Sequence, residues 1–345
     1  MKQNLLILLC FSLFITELYS QTSTARFLYW SPSAEVTALG GAGVAIVNNS
    51  FSAYYNPAGF GFNQKLGITS SFMQPFPSFG NTAQFMFSIS CPFKELGTVA
   101  LTLNSYWMDA QLRTGSWGPD TYGILEEPKL FKPSNYQIKA SYSNALSGNV
   151  SIGLSASILR IVLSSSGTES EQGNGEVSTI LLDAGVLVKD LFNMATYQSK
   201  ADTLDNITND NIHPGISVGF SLLNFGPKIY YIDNAQKDPS PSIALLGFVY
   251  TPIITSTISA RILMDFEKRI YDSNKLDYIH SGAEFILYKM FSLRGGYAAN
   301  IISPELSYPT FGIGINYKFI YANVSRYKKY LLPTWQFDTK ISLEL

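Results

Sequence analysis

Cysteine and charge are both scarce in this 345-residue chain. It has two cysteines, Cys10 and Cys91, and charged residues make up 14% of it, whereas a typical soluble protein has roughly 25%. Cys10 lies in an N-terminal run that we expect to be removed, so a disulfide bond within the mature chain is excluded. The formal net charge of −1 gives no basic surface for nucleic acid, and we expect no nucleic-acid partner.

Long hydrophobic runs are also missing, except at the start of the chain. The opening MKQNLLILLCFSLFITELYS places Lys2 before an apolar run from about Leu5 to Ile15, and it ends at Ser20. This layout predicts a secretory signal peptide over 1–20, with an uncleaved N-terminal anchor as the alternative. No later apolar stretch approaches ~18 residues, which excludes membrane-spanning helices.

Alternation of apolar and polar residues is frequent instead. In the last segment Trp335 and Phe337 fall on one face, while Gln336 and Asp338 fall on the other, which is the period of a β-strand. About fourteen such segments occur, most of them ~9–11 residues long, as a tilted strand crossing a bilayer requires. They lie near 64–72, 82–90, 96–105, 135–143, 149–163, 177–188, 215–224, 241–250, 256–266, 277–287, 290–299, 309–318, 319–326 and 335–345.

The connections alternate in length, as expected for an outer-membrane barrel with long outer loops and short periplasmic turns. The predicted outer loops include 106–134, 164–176, 225–240, 267–276 and 300–308, and the predicted turns include 91–95, 144–148, 251–255 and 288–289. The long connection 189–214 breaks the rule, either through a miscounted strand or as an insertion. The sequence therefore predicts an all-β fold, an antiparallel transmembrane barrel of about 14 strands over 64–345. A soluble β-sandwich, with its apolar faces turned inward, is the rival.

The glycine-rich stretch ALGGAGVAIVNNSFSAYYNPAGF at 38–60 precedes the first strand. Glycines let the backbone pack closely and adopt positive φ angles, and the residue before proline avoids the helical region. Since the lumen of a 14-stranded barrel is too wide for wall side chains to fill, we predict that 21–63 forms a plug, or hatch, inside it. The candidate hatch residues are Gly40, Gly41, Gly43, Asn56, Pro57 and Ala58.

Charged residues on the presumed inner face form a second candidate set. Charges of both signs there would pair with each other or with the hatch and would favour a polar lumen over an apolar conduit. Alternatively, each merely satisfies the backbone of the plug. The set comprises Lys139, Arg261, Asp265, Glu284 and Arg294, together with Asp338 and Lys340.

The segment ALGGAGVAIVNNSFSAYYNPAGFG resembles the N-terminal hatch of the FadL superfamily, whose members are fourteen-stranded barrels with an Asn-Pro-Ala box. Five further segments resemble the PorV/PorQ branch: FKPSNYQIKASYSNALSGNVSIGLSASIL, LLDAGVLVKD, GISVGFSLLNFGPKIYYID, GAEFILYKMFSLRGGY and PTFGIGINYKF. The resemblance implies the outer membrane of a Gram-negative bacterium and a role in type IX secretion. PorV-like proteins carry cargo, held by its C-terminal domain, from the translocon to an attachment complex, whereas FadL-like proteins pass hydrophobic small molecules. The implied partners are outer-membrane lipids, cargo C-terminal domains and the translocon or attachment-complex proteins.

No catalytic or metal-binding pattern emerges from the sequence. His213 and His280 lack the local spacing of a zinc site, and the glycine pairs do not continue into a dinucleotide fingerprint. We therefore expect no enzyme activity, no metal and no cofactor. The predicted loop 106–134 carries Trp107, Met108, Trp117 and Tyr122, which suit either a protein contact or packing on the barrel rim.

Overall fold

A computed structural model describes most of the chain after residue 23. The described residues are 24–47, 51–75, 81–94, 96–112, 130–163, 175–191, 197–198, 212, 215–230, 237–255, 257–272, 275–329 and 332–344. The predicted signal peptide, His213, Trp117 and Tyr122 lie outside them.

Fourteen long strands account for most of the described residues. They are β1 (Leu66–Met73), β2 (Ala83–Phe93), β3 (Gly97–Trp107), β4 (Ser134–Ala145), β5 (Val150–Val162), β6 (Glu176–Leu191), β7 (Gly215–Phe225), β8 (Ile243–Ile254), β9 (Ile258–Arg269), β10 (Tyr278–Leu287), β11 (Phe291–Asn300), β12 (Tyr308–Tyr317), β13 (Ile320–Lys329) and β14 (Leu332–Leu343). The predicted bounds agree to within four residues, the largest gap being the end of β8, predicted at 250 and found at Ile254.

Every strand pairs antiparallel with its neighbours in the chain, and the ring is closed. The last strand, β14, returns to β1 in a register that runs from Leu66 opposite Leu343 to Met73 opposite Gln336. Closure removes the free sheet edges that would otherwise expose unpaired backbone groups in a bilayer. The predicted 14-stranded all-β barrel is confirmed.

The two faces of the wall have opposite chemistry. Phe311 and Ile313 point outward and are 63% and 60% exposed, whereas the inward Lys139 and Glu284 are 3% and 1% exposed. Apolar side chains outside and polar ones inside are the pattern of a barrel surrounded by lipid. The soluble β-sandwich is therefore wrong, because its apolar faces would meet in the interior. No helix in the described ranges is long and apolar enough to span a membrane.

The N-terminal segment lies inside the ring. It contains two short α-helices, α1 (Ala34–Ala38) and α2 (Ser52–Tyr55). The 3₁₀ turns Arg26–Tyr29 and Pro57–Phe60 lie at its two ends, and a third, Pro304–Leu306, lies in an outer loop. Helix α1 begins at the capping residue Ser33, whose side chain accepts a hydrogen bond from the amide of Val36. The turn Pro57–Phe60 begins in the same way at Asn56, whose side chain accepts a hydrogen bond from the amide of Ala58.

The path of this segment runs from one end of the lumen to the other. Phe27 packs with Tyr106 and Leu159 near the long-loop ends of β3 and β5. At the opposite end, the hydroxyls of Ser143 and Ser151, which flank the short turn between β4 and β5, both donate to the carbonyl of Ala58. We call the long-loop end the outer end and the other the periplasmic end, following the general pattern of such barrels.

The long connection between β6 and β7 is an addition to the periplasmic end. Its described residues include the two-residue strand Tyr197–Gln198, which pairs parallel with Ile253–Ile254 of β8. Ile212 packs with Ile254 and Ile286. The strand count therefore holds, and the connection caps the edge of β8 where that strand extends beyond β7. Within loop 106–134, a second short pair joins Gln111–Leu112 to Leu130–Phe131.

Candidate functional site

The Asn-Pro-Ala box joins the hatch to the wall. The Asn56 amide nitrogen Nδ2 donates to the carbonyl of Val44 in the hatch and to that of Val186 in β6, each at 3.0 Å. Its Oδ1 accepts from the Ala58 amide at 3.0 Å. Asn56 is 1% exposed, and both of its amide hydrogens are used, one within the hatch and one to hold the turn against β6.

Two wall glycines let this turn approach the barrel. A Cβ atom on Gly153 would overlap the backbone of Pro57 and Ala58, and one on Gly185 would overlap the side chain of Asn56. Backbone atoms cannot move aside as the flexible end of a side chain can. A side chain at position 153 would therefore displace the hatch.

Gly153→Val is expected to loosen the hatch. The added side chain forces the backbone of residues 57–58 away from β5, and overpacking of this kind costs about 1–3 kcal/mol. We expect cleavage within 24–63 by a protease added to the detergent-solubilised protein to become roughly tenfold faster, measured by mass spectrometry of the fragments. Gly295→Val is the matched control, since a Cβ there meets no described atom within 4 Å; equal rates in both variants would contradict the expectation.

The glycine-rich turn of the hatch is held by a wall carboxylate. Gly40 and Gly41 have φ angles of 75° and 98°, and the chain then presents the amides of Gly43 and Val44 to Asp265 Oδ2 at 2.7 and 2.9 Å. Successive backbone amides that converge in this way form a nest for a negative charge. The predicted residues Gly43 and Asp265 are therefore partners in one contact.

His280 completes the attachment of the same turn. Its Nδ1 donates to the carbonyl of Gly40 at 2.6 Å, and its Nε2 lies 3.0 Å from Glu267 Oε2. A carbonyl oxygen can only accept, so Nδ1 carries a proton and Nε2 is the ring nitrogen in contact with the Glu267 carboxyl group. The Gly40 amide in turn donates to Thr310 Oγ1 at 2.9 Å. His280 was not predicted as a hatch contact, because no residue spaced suitably for a metal or catalytic site lies near it in the sequence.

A buried ion network joins α1 to strands β9, β10 and β11 of the wall. Glu284 lies between Arg261 and Arg294 and accepts from both, with 2.6 Å from Arg294 Nε to Glu284 Oε1. Arg261 also reaches Glu35 of α1, at 2.7 Å. The side chains of Arg261 and Arg294 are 3% and 6% exposed, and the side chain of Glu284 is 0% exposed. Their charges are therefore neutralised within the lumen. Glu35 was not predicted as part of the site from the sequence. The available signal was a single acidic residue among the small and apolar residues that surround it.

Asp338 extends this network to the start of α1. Its Oδ1 accepts from the Asn323 amide at 2.7 Å. Its Oδ2 accepts from Ser33 Oγ at 3.0 Å and from the Glu35 amide at 3.1 Å. The predicted inner residue Lys340 is only half-buried and stacks its ammonium 5.0 Å from the ring of Tyr321, outside this network.

Lys139 serves the second helix of the hatch. Its Nζ donates to the carbonyl of Ala53 at 3.0 Å and forms an ion pair with Asp183 at 2.6 Å. Thus six of the seven charged residues selected from the sequence have side chains buried in the lumen: Lys139, Arg261, Asp265, Glu284, Arg294 and Asp338. Lys139, Asp265 and Arg261 contact the hatch directly, whereas Glu284 and Arg294 act through Arg261.

A cavity remains between the hatch and the wall, in the outer half of the lumen. Its volume is about 90 Å³ for the centres of water-sized molecules, well above the roughly 10–15 Å³ needed to hold one water. Tyrosines line much of it, from the hatch (Tyr29, Tyr54, Tyr55) and from the wall (Tyr308, Tyr327). An apolar side is formed by Leu223, Ile243 and Leu245.

Of the large side chains predicted in loop 106–134, Trp107 and Met108 lie at the barrel rim, and Trp117 and Tyr122 lie outside the described residues. Met108 packs against the cluster of Phe27 and Tyr106, and Tyr106 meets Trp30 edge-on with ring centroids 5.0 Å apart. Met108 therefore folds the loop onto the rim, one of the two roles expected for it. Trp107 ends β3 on its outward face.

The fold recurs in two solved channels. The crystal structure of the toluene transporter TodX of Pseudomonas putida matches 90% of this chain and 97% of its own, at 10% identity and a TM-score of 0.51. The monoaromatic hydrocarbon channel CymD matches 89% of this chain and 95% of its own, at 12% identity and a TM-score of 0.50. At such identities the likeness concerns the fold. Among curated protein sequences, none matches this chain significantly.

Sequence comparison with protein families is more specific. The family described as type IX secretion system protein PorV matches residues 16–273, a range that includes the hatch and the strands through β9. The match covers three quarters of the chain. It includes all the candidate hatch residues and, of the inner-face charges, Lys139, Arg261 and Asp265. Together with the lipid-facing barrel, this makes the chain an outer-membrane protein of a Gram-negative bacterium, and it belongs to the PorV family of the type IX secretion system.

Proposed function

We propose that this protein binds secreted cargo proteins at the outer end of its lumen and carries them between components of the type IX system. The observation that carries the proposal is the tyrosine-lined cavity between the wall and a hatch that is hydrogen-bonded to several strands. A cavity that ends at a fixed floor suits temporary binding of a segment of another protein. It suits passage through the barrel less well.

The chemistry of the cavity favours a peptide over a purely apolar ligand. Tyrosine rings supply apolar area and their hydroxyls supply hydrogen bonds, the combination that is enriched at protein interfaces. Glu267 and His280 add charged groups to the same lining. A peptide segment can exchange hydrogen bonds with these polar side chains and also pack against the rings, whereas a hydrocarbon can only pack.

Transport of hydrophobic small molecules is the second candidate. The apolar side formed by Leu223, Ile243 and Leu245 supports it, as does the shared fold with TodX and CymD, which are named as a toluene transporter and a hydrocarbon channel. Against it stand the charged groups between the cavity and the periplasmic end, because Arg261 and Glu284 would have to be passed.

Ile243→Trp is expected to weaken cargo capture. Ile243 is 5% exposed and faces the cavity, so an indole there fills space that a cargo segment would occupy. We expect the affinity of the full-length protein for a purified protein that ends in a secreted C-terminal β-domain to fall about tenfold or more, measured by surface capture in detergent. Leu246→Trp, three residues further along the same strand and on the lipid-facing side, should bind normally.

The same two variants separate the candidate functions. If Ile243→Trp and Leu246→Trp capture cargo as well as the parent protein, the cavity is not the cargo site. If radiolabelled toluene or fatty acid crosses vesicles that contain the parent protein, and Ile243→Trp stops it while cargo capture is absent throughout, the second candidate replaces the first. Folding of both variants is checked by the mobility shift between heated and unheated samples on gels.

A further inference from the structure

A row of three side chains crosses the outward face of the barrel near its outer end. Phe311 of β12, Arg326 of β13 and Trp335 of β14 are direct partners in the strand register. The Arg326 guanidinium lies 5.2 Å from the centre of the Trp335 ring, within the range of a cation–π contact. The cation is thus flanked by an aromatic side chain on each neighbouring strand.

The residues above and below this row show where it lies in the membrane. One step toward the periplasmic end, the row formed by Ile313, Val324 and Phe337 is entirely apolar. One step toward the outer end, Lys328 lies opposite Pro333. Aromatic girdles mark the boundary between acyl chains and headgroups. Arg326 therefore lies at that boundary, and Lys328 lies about 7 Å further out, two strand residues away.

Two other strand cations on the outward face near the outer end have carboxylate partners. Arg160 of β5 is paired with Glu176 at 2.7 Å, and Lys268 of β9 with Asp277 at 3.6 Å. Among the residues that the structure describes, no carboxylate pairs with Arg326 or Lys328. Both are exposed. Two adjacent positive charges thus face the headgroup layer with no counter-ion among the described residues.

We propose that Arg326 and Lys328 bind the phosphate of an acylated, phosphorylated glycolipid in the outer leaflet. The planar guanidinium can donate two parallel hydrogen bonds to a phosphate, and the ammonium adds a point charge. Phe311, Trp335 and the apolar row beneath them contact the sugar-proximal parts of the acyl chains. The site is on the lipid-facing side of β12–β14 and is separate from the lumen and from cargo binding.

The test compares lipid binding by full-length protein in detergent. The double variant Arg326→Gln with Lys328→Gln removes both charges and keeps similar side-chain lengths. We expect its affinity for bis-phosphorylated lipid A to fall about tenfold, since hydrogen bonds to charged groups are the strong ones, measured by native mass spectrometry of the protein–lipid complex. Dephosphorylated lipid A should bind weakly, and to the same extent, to the parent and to the double variant.

The matched control is the double variant Arg160→Gln with Glu176→Gln, which removes an outward cation at the same end together with its counter-ion. It should bind bis-phosphorylated lipid A as the parent does. Equal losses in the two double variants, or no loss in the first, would overturn the proposal. So would full displacement of lipid A by millimolar inorganic phosphate, because the patch would then bind a free anion and not a lipid headgroup.

Discussion

Removal of residues 21–63, with 1–20 retained as the signal, is expected to turn the protein into an open pore. The strand ring closes on itself without help from the hatch, whereas fourteen strands enclose a lumen that wall side chains do not fill. We expect single-channel conductance in a planar bilayer to rise roughly tenfold or more over that of the parent protein, since an aqueous path replaces the packed hatch.

The deletion carries its own control for folding, because a closed barrel in an unheated gel migrates faster than the unfolded chain. Asp265→Ala is a milder second variant. It removes the acceptor of the Gly43 and Val44 amides and should produce brief openings in place of a steady pore. A folded deletion variant with the conductance of the parent would show that residues 21–63 do not close the lumen.

Glu284→Gln is expected to be the most destabilising single change in the lumen. The carboxylate accepts from two guanidiniums that are themselves almost fully buried. Removal of one partner from a buried ion pair leaves an uncompensated charge and costs about 3–5 kcal/mol. We expect the midpoint of guanidinium-induced unfolding in detergent, followed by tryptophan fluorescence, to fall accordingly.

Two comparisons show whether burial is the cause. Glu176→Gln breaks an ion pair whose members are 42% and 30% exposed, and exposed pairs of this kind contribute about 0–1 kcal/mol. Glu284→Gln combined with Arg294→Gln restores the charge balance and should recover part of the loss. If Glu176→Gln and Glu284→Gln lower the midpoint equally, the network contributes no more than a surface pair.

The strands were predictable because their signal is local. For example, apolar and polar residues alternate over β12 and β14, because the wall has lipid on one side and a polar interior on the other. The polarity of each residue therefore indicates which side it faces. The hatch was predictable for the opposite reason: the stretch around Gly40 and Asn56 fits neither a strand nor a long helix. That 21–63 closes the lumen stays a prediction until conductance is measured.

The partners within the lumen were not predictable from spacing. Glu35 and Arg261 are 226 residues apart in the chain, and their contact depends on how the hatch is folded inside the ring. His280 reads as an ordinary strand residue and becomes a hatch contact only because Gly40 turns toward it. The pairing of Tyr197–Gln198 with β8 was hidden likewise, because two residues carry no periodicity.

Closure through β1 and β14 also constrains how the protein is assembled. The hatch is linked to the wall on several sides, through Val186 of β6, Asp265 of β9 and Asp338 of β14. A finished cylinder leaves little room for such a segment to be threaded in afterwards. The chain must therefore gather the hatch on the concave side of a curved, still-open sheet, and the first and last strands join around it as the final step. Until that step, β1 and β14 are bare edges able to pair with other chains, so a chaperone that covers them would act on the hatch and the wall together.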